Sequence, residues 1–62
     1  MKKNFKVNIA SRYMYNEFRE YNIYQVSAKS MESARNYAKR VISHWNKIDN
    51  TTNYEIYDIW EV

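Results

Sequence analysis

Two short stretches of this chain repeat one alternation, and a hairpin is the simplest fold that uses both. Phe5, Val7 and Ile9 alternate with polar neighbours, and Tyr24, Val26 and Ala28 do the same. Successive strand side chains point to opposite faces, so each triplet marks one face. A reversal at Asn16-Glu17 pairs residues whose numbers sum to 33: Phe5 with Ala28, Val7 with Val26 and Ile9 with Tyr24. All six side chains then share a face, and a one-residue slip would split them. The expected strands cover residues 4–15 and 18–28.

After the hairpin the apolar period lengthens. Ala34, Ala38, Val41, Trp45 and Ile48 recur at spacings of 4, 3, 4 and 3, which is one stripe of a helix turning about 100° per residue. Met31, Tyr37 and Ile42 flank it. Ser30 suits the N-cap, and Glu32 in the first turn faces the positive end of the helix dipole. The helix is predicted over Met31 to about Lys47. The polar run Asp49-Asn50-Thr51-Thr52-Asn53 ends it. The last strand, residues 54–62, shows Tyr54, Ile56, Asp58, Trp60 and Val62 on one face and Glu55, Tyr57, Ile59 and Glu61 on the other. The first set carries more apolar bulk and is assigned to the core. Asp58 then needs an edge, a bulge or a cation. The class is α+β, in the order β-β-α-β. The preferred sheet is antiparallel with strand order 2-1-3 and the helix on one face. A third strand beside the second, through a right-handed crossover, is the other arrangement.

Composition narrows the chemistry. The 62 residues suggest one domain without cysteine, glycine or proline, so disulfides, thiolate metal sites and glycine phosphate loops are excluded. Stability must come from packing, and seven Tyr, two Phe and two Trp supply it. A core this small leaves no room for an enclosed substrate cavity of about 300–1,000 Å³. His44 is the only histidine, so neither a histidine-based metal site nor a serine triad can be assembled. The pairs Glu55/Glu61 and Glu17/Glu20 read as solvated charges. The expectation is a protein with no enzymatic activity and no cofactor. Met1-Lys2-Lys3-Asn4 leads into no apolar signal core, and no run approaches the ~20 apolar residues of a membrane span. A cytoplasmic location without membrane contact is expected.

Charge is uneven. Residues 1–30 carry +4, residues 31–47 carry +3 and residues 48–62 carry −4. Three surfaces stand out. Arg12, Tyr13, Met14, Tyr15, Phe18, Arg19 and Tyr21 crowd the hairpin tip, past the reach of the helix, and Tyr, Met and Arg are types enriched in interface cores. A tip folded back over Trp45 or Trp60 as a satellite core is the bland alternative. Ala10, Ile23, Tyr57 and Ile59 would form an apolar patch on the open sheet face, a surface for a partner or a homodimer. Arg35, Lys39, Arg40 and Lys47 give the helix a basic outer face, suited to phosphates or simply to water.

The arrangement F-x-V-x-I followed by Y-x-V-x-A-x-S-x-E-x-A-x-x-x-A resembles small phage and plasmid proteins of the DpnD/PcfM-like kind. Phe5, Val7, Ile9, Tyr24, Val26, Ala28, Ser30, Glu32, Ala34 and Ala38 carry the match. The resemblance implies a mobile-element origin and brings no activity with it. Asn, Lys, Tyr and Ile supply 27 residues, all with AT-rich codons, which fits a low-GC bacterium or its phage. The leading expectation is a protein-binding module that covers a site on a larger host protein, such as an inhibitor of a defence or nucleic-acid-processing enzyme in the manner of anti-CRISPR proteins. The alternative is a nucleic-acid-binding protein that uses the basic helix and the aromatic tip.

Overall fold

The computed structural model describes residues 1–15 and 18–62. Strand β1 runs Lys3–Tyr13, β2 Arg19–Ala28 and β3 Thr52–Glu61, with helix α1 at Met31–Ile48 between the last two. The sheet is antiparallel throughout, in the order β2-β1-β3. Ser30 caps α1 as its sequence suggests: the Ser33 amide donates to the Ser30 Oγ at 3.2 Å. At the other end the Asp49 amide donates to the Trp45 carbonyl at 2.9 Å.

The hairpin register differs from the expected one by two residues. Val7 lies opposite Tyr24, Phe5 opposite Val26, and Ile9 opposite Asn22, so paired numbers sum to 31. The faces survive, because a two-residue shift preserves side-chain parity. Alternation fixes the register only modulo two, and the loop chooses between the remaining options. The expected turn, Asn16-Glu17, falls outside the described residues.

Strand β3 contains a bulge that corrects the expected core. Asn8 pairs with Asp58 and Ile9 with Ile56, which leaves Tyr57 as the extra residue. Tyr54 and Ile56 face the helix before the bulge. After it the parity switches, and Ile59, expected on the open face, packs into both halves of the core. Trp60, expected in the core, lies opposite Lys6 on the face away from the helix. Asp58, whose awkward place in the alternation called for a device of this kind, accepts a 2.8 Å bond from the Ile59 amide.

The core consists of two neighbouring groups. Phe5, Ala28 and Ala34 form one, with Val26, Met31 and Ile59 against them. Val7, Ile9 and Ala38 form the other, with Ile42, Trp45, Tyr54 and Ile56 around them. The alanines at 34 and 38 let α1 approach closely, and Phe5 and Val7 fill the space beneath. The helix packs chiefly on β3, with much less contact to β2 and β1.

The result is flat and long, 42 × 20 × 13 Å. Its radius of gyration is 12.3 Å, where a compact chain of this length would have about 10.6 Å. Accessible surface is 4910 Å², against about 4,300 Å² expected for the mass. Roughly 600 Å² more surface than usual therefore meets solvent, approaching the ~800 Å² per partner of an ordinary interface.

Candidate protein-binding surface

Many of the exposed large apolar side chains lie along β2 and at the hairpin tip, among them Tyr21, Ile23, Tyr24, Met14, Tyr15 and Phe18. Because α1 leans toward β3, its apolar stripe is only half covered. Tyr37, Val41 and Trp45 on the helix and Tyr24 and Val26 on β2 line an open groove of about 210 Å³ floored by Val7 and Ile9. The apolar lining continues along the molecule through a recess formed by Tyr24, Trp45, Ile48 and Tyr54. At the tip Tyr13, Phe18 and Tyr54 share a more polar recess with Ser11, Glu20 and Thr52. Tyr37 is 50% exposed, Tyr24 43% and Ile48 70%.

Aromatic stacking holds this surface in shape. Trp45 is only partly buried and not the largely buried anchor its place in the stripe suggests. Its ring lies 5.6 Å from that of Tyr24 and 5.4 Å from that of Tyr54, within the range of favourable edge contacts. Arg40 sits 6.0 Å above the Tyr37 ring and puts a cation on the groove rim. The sequence marks Tyr37, Val41, Trp45 and Ile48 as apolar helix residues but gives no sign that they line a groove. Their exposure follows from the lean of the helix, which the helix stripe does not encode.

The helix covers about 27 Å of the length, so the distal hairpin projects beyond it. Tyr15 is 78% exposed and Phe18 79%. Tyr13 and Tyr15 stack edge to face at 5.4 Å. Met14 is exposed, but its amide donates to the Thr51 carbonyl at 2.8 Å and ties the tip to the α1–β3 loop. In that loop Asp49 accepts bonds from the Thr51 hydroxyl (2.6 Å) and amide (3.1 Å). These bonds, the hydroxyl first, hold the Asp49 carboxyl below its ordinary pKa. Arg12 lines an open, polar recess of about 420 Å³ beside the same loop.

Arg19 and Tyr21 belong to the open sheet face and not to the tip. Arg19 reaches Glu55 across β1 at 3.4 Å, an exposed pair worth little. Tyr21 and Tyr57 meet edge to face at 5.0 Å, and the small Ala10, opposite Tyr21 on β1, is buried. Ile23 and Tyr57 remain exposed there as expected, while Ile59 has left for the core. Asn8 lies between Ile23 and Asp58 on that face, its Oδ1 shielded without a hydrogen-bond partner.

The basic helix residues do not form one face. Arg35 and Lys39 stand on the β3 side, around a recess shared with Asp58. Arg40 stands on the groove side, and Lys47 lies in the last turn. Among the described residues no helix is long and apolar enough to cross a membrane. Comparison with protein-family models, curated proteins and solved structures returned no match.

Proposed function

We propose that this protein is a small protein-binding module that acts by covering a surface of a larger protein, one copy to one. The observation that carries the reading is the apolar surface running from Tyr37 through Tyr24 and Trp45 to Ile48, with the exposed aromatics of the hairpin tip beyond it. Partly exposed Tyr and Trp side chains beside Arg are the types that dominate interface hot spots. A chain this small has little apolar material to spare for the surface, so leaving aromatics half out of the core costs stability that a partner would return. The AT-rich composition and the resemblance to small phage and plasmid proteins support a mobile-element origin. The most concrete form of the proposal is an inhibitor of a host defence or nucleic-acid-processing enzyme.

The test is recovery of a stoichiometric protein complex from cells of the native host, followed by reconstitution from purified components. Tyr15→Ala or Tyr37→Ala should weaken the reconstituted complex by about 2 kcal/mol or more if either is a hot spot. Submicromolar binding to DNA near physiological salt, lost with Arg35→Ala/Lys39→Ala, would replace this reading with a nucleic-acid one.

A further inference from the structure

We infer that the outer edge of β2 receives an extended segment of the partner as a fourth strand, and that this segment is apolar with acidic residues beside the helix. The inference rests on the protein-binding reading and specifies what is bound and where. Strand β2 pairs with β1 alone, in an unbroken register from Arg19 to Ala28. It holds neither a bulge nor a proline, and it is the outermost strand of the sheet. Such an edge presents a row of unpaired amides and carbonyls, the template for strand addition.

The groove lies where the added strand would need it. A new strand would run about 4.8 Å beyond β2, with every second side chain directed toward the helix layer. There it would meet Tyr24, Tyr37 and Val41, which now line an open groove. Charge selects the partner. Arg40 is on the groove rim, and His44 and Lys47 follow at helical spacing on the same flank. Within β2 the only acidic residue is Glu20, beside the tip, and none occurs between Ser33 and Ile48. The acidic residues Glu55, Asp58 and Glu61 are gathered on the opposite edge strand. A helix-facing row with leucine at its centre and glutamate at its ends matches this pattern.

The probe is a synthetic seven-residue peptide, blocked at both termini, with Glu, Leu, Leu and Glu alternating with Thr. Its lysine-for-glutamate analogue and a backbone N-methylated analogue serve as controls. Titrated into ¹⁵N-labelled protein, the acidic peptide should bind with Kd below about 1 mM. Shifts should concentrate on residues 19–28 and the Trp45 indole. The lysine analogue should bind at least about tenfold more weakly, Arg40→Glu should reverse that preference, and N-methylation should abolish binding. No binding at about 1 mM, equal binding of both charges, or shifts centred on Tyr57 and Trp60 would overturn the inference. So would a sedimentation result showing a dimer that already occupies β2. A protein partner captured through the tip, with the peptide ignored, would overturn the edge inference and leave the protein-binding reading intact. A bound peptide with no protein partner would do the reverse.

Discussion

The two edges of this sheet are built differently. At β3 the edge is guarded. The bulge at Tyr57 interrupts the strand, and α1 leans over it. The Asn46 side chain occupies the backbone at Tyr54: its Nδ2 donates to the Tyr54 carbonyl at 3.1 Å and its Oδ1 accepts from the Tyr54 amide at 2.9 Å. An amide side chain here stands in for a neighbouring strand. At β2 none of these devices appears, and seven of the first eight residues, Arg19 to Gln25, are exposed without interruption. Bulges, charge and covering elements are how proteins protect sheet edges from unwanted pairing. The open edge is the one proposed to receive the partner's strand.

The comparison can be broken by substitution, and the largest effect is expected on the guarded side. Ile59→Ala removes a residue shared by both core groups and should cost about 2–4 kcal/mol. In a domain of this size that lowers the melting temperature by 10 °C or more, roughly. A shift of only a few degrees would mean that α1 is not seated on β3. Asn46→Ala should cost less, about 1–3 kcal/mol, because it strips two backbone partners from a partly buried Tyr54. If a thermal melt shows no loss, the clamp is not formed in solution.

Effects on the open side should be smaller. Tyr37→Ala and Tyr15→Ala should each stay within about 0.5–1 kcal/mol of the parent, since neither side chain is enclosed. Melting shifts of 15 °C or more for either would show that packing has been mistaken for a binding surface. The smallest effect is expected at Asp49. Its folded pKa lies below the unfolded value, so its bonds to Thr51 contribute stability that is present above the unfolded pKa and lost as pH falls through the folded one. Asp49→Asn should therefore lower stability slightly at neutral pH, leave it nearly unchanged at low pH, and so flatten the acid limb of the stability profile. An unaltered acid limb would contradict this.

What the sequence made legible was parity and period. Phe5, Val7, Ile9, Val26 and Ala28 turn to one side because alternation dictates it, and Ala34 and Ala38 face them because the helix stripe does. Strand order was legible only as the preferred of two arrangements, the other placing β3 beside β2. Three things were not legible, each for a physical reason. The hairpin register moved by two residues because alternation cannot distinguish shifts of two. Ile59 and Trp60 exchanged faces because one extra residue in β3 reverses parity, and Asp58 was the only sign of it. The groove stayed hidden because Tyr37, Val41 and Trp45 read as core residues whichever strand the helix favours. The tip was visible as aromatic density, but its end at Tyr15 and Phe18 is exposed while Tyr21 belongs to the open sheet face.

Amide hydrogen exchange on the free protein tests the contrast between the edges most directly. In an antiparallel edge strand every second amide bonds inward and the others face water. Residues 19–28 should therefore alternate between slow and fast exchange, while the Tyr54 amide, held by Asn46, stays slow and becomes fast in Asn46→Ala. Continuous protection along β2, or a Tyr54 amide that exchanges freely in the parent protein, would contradict the account.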